Sequence, residues 1–418
     1  MISLFLRNHK YRWCLLHTTF GGVGSGMFGM LMIWIIHAEY QNPFYTGLAG
    51  VMFAVTTIGS FLIGPFVDRR SKILLIRVCT FIELIILSLV LAASLTDMLG
   101  LWILLAAILI NSTTNIFYGL AFSAYKPTIV ASEDLLTSNS MSTIAGIVTG
   151  IAVGVILYVS LMHGADFVIM YIVMTAFLFI SFVFSLFLRA GEPVQHEFEH
   201  GKSFKIYFAE LKEGLRFMAK GAVFALLIVV LVQDLAASIA YVNIPMLVQV
   251  HTGYATAYIV LTAMAMLGGM LGAYGARILG PKLVVWKYIA LCFILAGAAR
   301  ILFINVIADN FSHALYVHIL YIGISSTAGM AIGTLMQKLP PKHMIARVSA
   351  AETSLTGITS VLGAFLGGIL GTIAANVDII FVIQGIIYLL IGLGVCLSKS
   401  LRRLPKVDDV TEEHALPL

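Results

Sequence analysis

GPFVDRRSK, residues 64–72, places Asp68 beside Arg69, Arg70 and Lys72 between two long apolar runs. Upstream stands FAVTTIGSFLI and downstream ILLIRVCTFIELIILSLVLAAS, so the charged stretch is too short for a domain surface and reads as a turn at a membrane face. Of the 418 residues, 60% are hydrophobic and 11% charged, with a mean hydropathy of +1.00. Soluble domains carry roughly 45–50% apolar and about 25% charged residues. A chain of this composition is an integral membrane protein whose first partner is the lipid bilayer.

A helix spans the bilayer with about 20 mainly apolar residues, because every backbone amide must be bonded within the segment. Twelve segments meet that criterion: 13–36, 46–66, 74–95, 100–122, 138–160, 166–188, 221–248, 254–277, 285–306, 312–336, 349–373 and 376–398. The first has an apolar run too long for a signal peptide, with no small-x-small cleavage site after it, and is expected to stay as a span. Cys14, Cys79, Cys292 and Cys396 fall singly in or beside spans, without a CxxC pair, and read as small packing residues rather than metal or redox ligands.

Charge orients the spans. With the N-terminus cytoplasmic, the inner segments hold 24 of the 25 Lys and Arg residues, leaving only Arg300 near the outer end of the ninth span. The outer loops carry Glu39, Asp97, Asp166, Asp309 and Asp378 instead. The positive-inside rule therefore predicts both termini on the cytoplasmic side of the plasma membrane. The net charge of +5 reports topology and calls for no nucleic acid.

The connection 189–220 is longer than the others and divides the chain into an N-terminal bundle (1–190), a linker (191–220), a C-terminal bundle (221–399) and a tail (400–418). Phe204, Phe208, Leu211, Leu215 and Met218 make one apolar stripe, which predicts an amphipathic helix lying on the inner membrane surface. A helix that binds a partner is the other reading of that stripe. The halves echo each other: KPTIVASEDLLTSNSMSTIAGIVTGIAVG (126–154) aligns without gaps with LPPKHMIARVSAAETSLTGITSVLGAFLG (339–367), pairing Pro127 with Pro340, Gly150 with Gly363 and Gly154 with Gly367. Weak internal symmetry of this kind marks transporters in which two bundles rock about a central site.

Twelve spans in a six-plus-six layout, with Gly64, Asp68, Arg69 and Lys72 in the loop after the second span, resemble the major facilitator superfamily and its G-x-x-x-D-R-x-G-R-R/K loop motif. Ser71 stands where the motif has its second glycine and Ile73 where it has its last basic residue. ELKEGLRFMAKGAVFALLIVVLV before the seventh span, and LPPKHMIARVSAAETSLTGITSVLGAFLGGIL at the eleventh, are similar to the macrolide-efflux type of drug:proton antiporter, family three. The resemblance implies an all-α fold of two pseudo-symmetric six-helix bundles. It also implies an inner-face latch in which Asp68 docks near Arg347 and Ser349, the basic residues of the loop meet Glu133 and Asp134, and Arg277 or Lys282 meets Glu352. The alternative is that the basic residues serve topology alone, which leaves Asp68 without a reason; an acid is stabilised beside a helix N-terminus. Gly146, Gly150 and Gly154 in the fifth span, with Gly363 and Gly367 in the eleventh, allow close helix approach, for static packing or for a sliding gate.

A charge at the bilayer centre costs at least ~2.5–3.5 kcal/mol, so each intramembrane ion needs a reason. Asp234 lies mid-span with Ser238 and Tyr241 on the same face, and it is the first choice for proton coupling; packing against a neighbouring helix is the alternative. Glu83 is equally deep, on a helix that is usually peripheral in the family, and ranks second. His318 with Tyr321 and Ser325, His17, and Asn111 with Asn115 and Tyr118 are candidates for the substrate cavity, against ordinary structural hydrogen bonding. Arg300 reads as a side chain reaching for the outer surface.

These readings converge on a secondary active transporter, a proton-driven exporter of amphipathic small molecules or drugs acting as a monomer without a cofactor or bound metal. Export of a metal ion, siderophore or lipid is the alternative within transport, and no histidine-rich loop favours metal. An enzyme or receptor is the reading from another class. The chain has no HExxH, GxSxG or P-loop, and its loops are too short for a catalytic domain.

Overall fold

A computed structural model of the chain describes residues 5, 7–59, 63, 66–67, 70–130, 135–164, 166–189, 212–280, 282–341 and 344–415. Among these, eleven helices are long and apolar enough to cross a membrane, and Pro43–Ile58 is a shorter apolar helix. In chain order the helices are α1 (His9–Tyr40), α2 (Pro43–Ile58), α3 (Lys72–Leu95), α4 (Leu101–Ile129), α5 (Leu135–Met162), α6 (Phe167–Leu186), α7 (Gly221–Tyr241), α8 (Ile244–Thr252), α9 (Ala255–Leu279), α10 (Val285–Asp309), α11 (Phe311–Lys338), α12 (Ile345–Ile373), α13 (Asp378–Leu397) and the single turn α14 (Lys399–Arg402). The all-α membrane fold expected from hydropathy is the fold observed.

Helix starts follow capping chemistry, since the first amides of a helix lack intrahelical partners. Asn8, Ser71, Asp166 and Asn310 each accept a hydrogen bond from a backbone amide of the helix they precede. Ser71, which departs from the loop motif's glycine, is thus the N-cap of α3. The seventh span, expected as one helix over 221–248, is broken between α7 and α8. Pro245 has no amide to donate and fits only the first turn of a new helix, and Asn243 holds the break by donating to the Ile239 and Gly367 carbonyls at 2.9 Å each.

The chain forms two compact units: Met1–Gln41 with Gly59–His200, and Asn42–Ile58 with Gly201–Leu418. The first holds α1 and α3–α6. Tyr11, Cys14, Ile76, Tyr125 and Leu188 form an apolar cluster near one end of it. Arg77 on α3 closes the C-terminal end of α6 by donating to the carbonyls of Ser185 (3.0 Å), Leu186 (3.1 Å) and Leu188 (2.9 Å). A cation at a helix C-terminus meets both the unpaired carbonyls and the negative end of the dipole.

The second unit holds α7–α14 and also α2, which the six-plus-six division places with the N-terminal bundle. The physical reason is a long glycine contact. A Cβ on Gly47 would lie 2.5 Å from the Gly368 Cα, and one on Gly357 2.5 Å from the Thr57 hydroxyl, so α2 and α12 run antiparallel at backbone contact from end to end. Such small-residue faces drive helix association in lipid. The segment read as a tail is built into the same unit: Leu401, Leu404, Val407 and Val410 are buried, Val285 N donates to Pro405 O at 3.0 Å, and Lys338 Nζ donates to the Val407 and Asp408 carbonyls at 3.0 Å each.

Of the stripe expected on the linker, Phe204, Phe208 and Leu211 lie outside the described residues. Residues 212–218 are helical, Met218 is fully buried within the second unit, and Glu213 pairs with Arg347 of α12. Of the two described stripe residues, Met218 therefore faces protein, whereas Leu215 is exposed. The four cysteines are free thiols, three of them buried.

Candidate functional site

Each unit encloses a cavity of its own. That of the first, about 320 Å³, is walled by α1, α3, α4, α5 and α6. Glu83 points into it from α3 and is 8% exposed. Its oxygens face the Ser25 hydroxyl at 3.4 Å and the Thr114 hydroxyl at 3.5 Å, the outer edge of hydrogen-bond range. Thr114 is in any case committed to the Ile110 and Asn111 carbonyls, at 3.0 and 2.8 Å. Among the described residues no cation pairs with Glu83. The expectation that α3 is peripheral does not hold for this face of it.

His17 stands across the same cavity. Its Nδ1 lies 3.0 Å from the Ser181 carbonyl and its Nε2 3.3 Å from the Tyr118 hydroxyl. The carbonyl only accepts, which assigns the proton to Nδ1 and leaves Nε2 to accept from Tyr118. Asn115 and Tyr118 line the cavity, whereas Asn111 sits behind and accepts the Asn115 amide at 3.0 Å. Ser25, Thr149 and Ser181 were not singled out by the sequence, because isolated hydroxyls in apolar spans usually bond their own helix.

The second unit's cavity, about 390 Å³, is lined from α2, α7, α10, α11, α12 and α13. It brings together Ser238, Tyr241, His318 and Tyr321, four of the residues that the sequence offers as candidates, with Ser325 half-buried outside its lining. It adds three polar residues that the sequence did not assign to it, Arg300, Ser360 and Gln384. Arg300 does not reach the outer surface: it is 2% exposed. Its guanidinium lies 4.6 Å from the Tyr321 ring, 4.7 Å from Phe381 and 5.2 Å from Phe303. Its Nε donates to Gln384 Oε1 at 2.7 Å, and Gln384 Nε2 donates to the Tyr321 hydroxyl at 3.0 Å. The sequence signal was the pair of polar residues inside the apolar runs ILAGAARILFI and DIIFVIQGIIY.

Asp234 lies beside this cavity rather than in its lining. One of its oxygens accepts from the hydroxyls of Thr359 (2.6 Å) and Ser360 (2.8 Å) on α12. These two short bonds to one oxygen tie α7 to α12, along the face where a Cβ on Gly363 would lie 2.8 Å from the Leu235 carbonyl.

Of the expected latch, Gly64, Asp68, Arg69, Glu133 and Asp134 lie outside the described residues. Lys72 Nζ donates to the Val67 carbonyl at 2.7 Å. Arg347 is engaged by Glu213. Arg277 and Lys282 are exposed, and neither forms an ion pair with Glu352 here.

Residues 14–355 match the sequence profile of the Major Facilitator Superfamily. No curated protein sequence matches the chain. Among solved structures, a mutant form of the nucleoside transporter NupG superposes with a TM-score of 0.76 at 14% identity, covering 93% of this chain and 99% of that one. A POT family transporter in complex with a thioalcohol-conjugated peptide gives 0.67 at 12% identity, over 93% and 95% of the two chains. A bacterial homolog of the human lysosomal transporter Spinster, inward-facing and unoccupied, gives 0.64 at 13%, over 94% and 95%. At such identities the likeness is one of fold.

Proposed function

The chain belongs to the Major Facilitator Superfamily, and from that premise we propose that it is a proton-coupled secondary transporter exporting amphipathic small molecules by alternating access. The single observation that carries the coupling is Glu83: a buried carboxyl on a cavity wall, with long contacts to hydroxyls and, among the described residues, no cation beside it. A buried, unpaired carboxylate is costly, and a carboxyl escapes that cost by taking a proton. Glu83 therefore takes up a proton when its cavity meets the acidic side and gives it up when a polar or charged group enters. Asp234, with two short hydroxyl contacts, is suited to holding α7 on α12 instead of exchanging protons.

Export, and kinship with the macrolide-efflux antiporters, are supported by the sequence segments at α7 and α12. A plasma-membrane location with both termini inside is supported by the placement of 24 of 25 Lys and Arg residues in inner segments. The latch between Asp68 and the start of α12 belongs to the same proposal; it competes with Glu213 for Arg347.

The test is transport in proteoliposomes under an imposed pH gradient, over a panel of amphipathic anions, neutral compounds and cations. Wild-type protein should move at least one class against its gradient, and Glu83→Gln should only exchange it downhill. Uphill transport by Glu83→Gln at the wild-type rate would sink the assignment of the proton to Glu83.

A further inference from the structure

We propose that Arg300 is the recognition point for an anionic group on the cargo, and that the cavity of the second unit takes amphipathic carboxylates. This deepens the transport reading and rests on it for the word cargo, but the binding claim stands on geometry alone.

A guanidinium cannot discard its charge by losing a proton. Buried in an apolar span, it needs an anion, a dipole or a π face. Arg300 has π faces and one dipole: three rings surround it, and Gln384 Oε1 accepts from Nε. Gln384 is itself held in that orientation by its bond to Tyr321. What the site lacks is a charge of opposite sign. No carboxylate pairs with Arg300 among the described residues, and its Nη1 is buried without a hydrogen-bond partner.

His318 repeats the pattern. It is 3% exposed, its Nδ1 is buried and unpartnered, and it lines the same cavity as Arg300. Two unpartnered polar groups, each more than nine-tenths buried and converging on one cavity, form a built site. Its remaining walls are mostly apolar, from Phe53, Ala54, Ala237, Ile322 and Ala364, with Ser238, Tyr241 and Ser360 among them.

A carboxylate on an apolar body meets this chemistry. The planar edge of a guanidinium matches two carboxylate oxygens, and the aromatic and aliphatic walls receive the rest of the molecule. A cation would meet Arg300 with like charge, and a neutral amide would leave the charge of Arg300 uncompensated.

The experiment is equilibrium binding to the purified full-length protein in nanodiscs, with no ion gradient, using a panel of aryl carboxylates from naphthoate upward, each beside its amide and its methylamine analogue. The carboxylate should bind roughly tenfold or more tighter than its amide, with the amine weakest. Arg300→Gln should erase the preference, and Arg300→Lys should keep part of it, because a point charge remains while the planar fork is lost. Ala237→Phe, which fills the cavity and leaves Arg300 intact, should abolish binding, so the claim does not hang on a single variant. The proposal falls if the amide or amine binds as well as the carboxylate, if the preference survives Arg300→Gln, or if chloride at equal ionic strength displaces the carboxylate completely. Because no gradient is present, a failure of proton-driven export would leave these outcomes untouched.

Discussion

Glu83 and Arg300 are buried to a similar degree, in cavities of similar size, in different units of the same chain. Their surroundings treat the ion differently. Around Glu83 stand hydroxyls at 3.4 and 3.5 Å and a histidine that already has partners for both ring nitrogens. Around Arg300 stand three ring faces and a fixed amide oxygen. The acid can become neutral by accepting a proton, so loose solvation suffices. The guanidinium has no neutral form to retreat to, so its site supplies permanent π and dipole partners and leaves Nη1 without a hydrogen-bond partner. On the proposed reading the difference divides the labour: proton exchange falls to the first cavity and anion recognition to the second.

The largest effect should come from exchanging roles between the two acids. Glu83→Gln should abolish gradient-driven transport, while Asp234→Asn should retain it at reduced rate, both read in proteoliposomes with a pH gradient imposed. The reverse result would move the coupling proton into the second unit and break the comparison.

Next in size is a stability effect of unusual sign. Replacing a buried ion pair by well-packed apolar side chains of similar volume is often neutral or stabilising by about 1–4 kcal/mol, and a buried guanidinium without a counter-ion carries the desolvation cost with no Coulombic return. Arg300→Met should therefore raise the thermal midpoint of ligand-free protein in detergent while removing the carboxylate preference. A marked fall would mean that Arg300 is held for structure, and the two cavities would lose their contrast.

Smaller again is the effect of the helix that gives the second cavity one wall. Gly47→Leu forces a side chain against the Gly368 backbone, where a Cβ alone would stand 2.5 Å from the Cα. Overpacking of this kind costs typically 1–3 kcal/mol. The midpoint should fall, and binding of aryl carboxylates should weaken with it, because Gly50, Phe53 and Ala54 line the cavity from α2. Binding at the first cavity's residues should be indifferent.

The smallest effect belongs to the first unit. Asn8 caps α1 through Tyr11 N (3.0 Å) and closes the end of α4 through the Ile129 carbonyl (2.7 Å). Asn8→Ala should cost roughly 1 kcal/mol, as cap removal usually does, and leave both transport and carboxylate binding in place.

The fold was legible because hydropathy over about 20 residues is a bilayer-scale signal that needs no tertiary information. Pro245 announced the break after α7, yet the apolar run continued through it and masked the boundary. The individual ions were legible as exceptions in apolar runs, but their partners were not. Asp234 meets Thr359 and Ser360 more than a hundred residues away. Distance from the span's end points Arg300 to the outer surface, whereas Phe381 and Gln384 of α13 and Tyr321 of α11 enclose it. Glu83 ranks second to Asp234 on the usual place of its helix, although it is the face of α3, not the helix as a whole, that decides what a side chain meets.

α2 is flanked in sequence on both sides by residues of the first unit, yet it packs within the second, glycine to glycine along α12. In the vocabulary of assembly it is an exchanged element, as in a domain swap. A chain severed within 191–211 would leave the N-terminal piece carrying its own docking helix and the C-terminal piece carrying the matching glycine face. The two pieces, expressed separately, would have a specific means of recombining, whereas an N-terminal piece ending before residue 42 would have lost it. A connection that looks like an ordinary hairpin between neighbouring spans is thus a built-in device for fragment complementation.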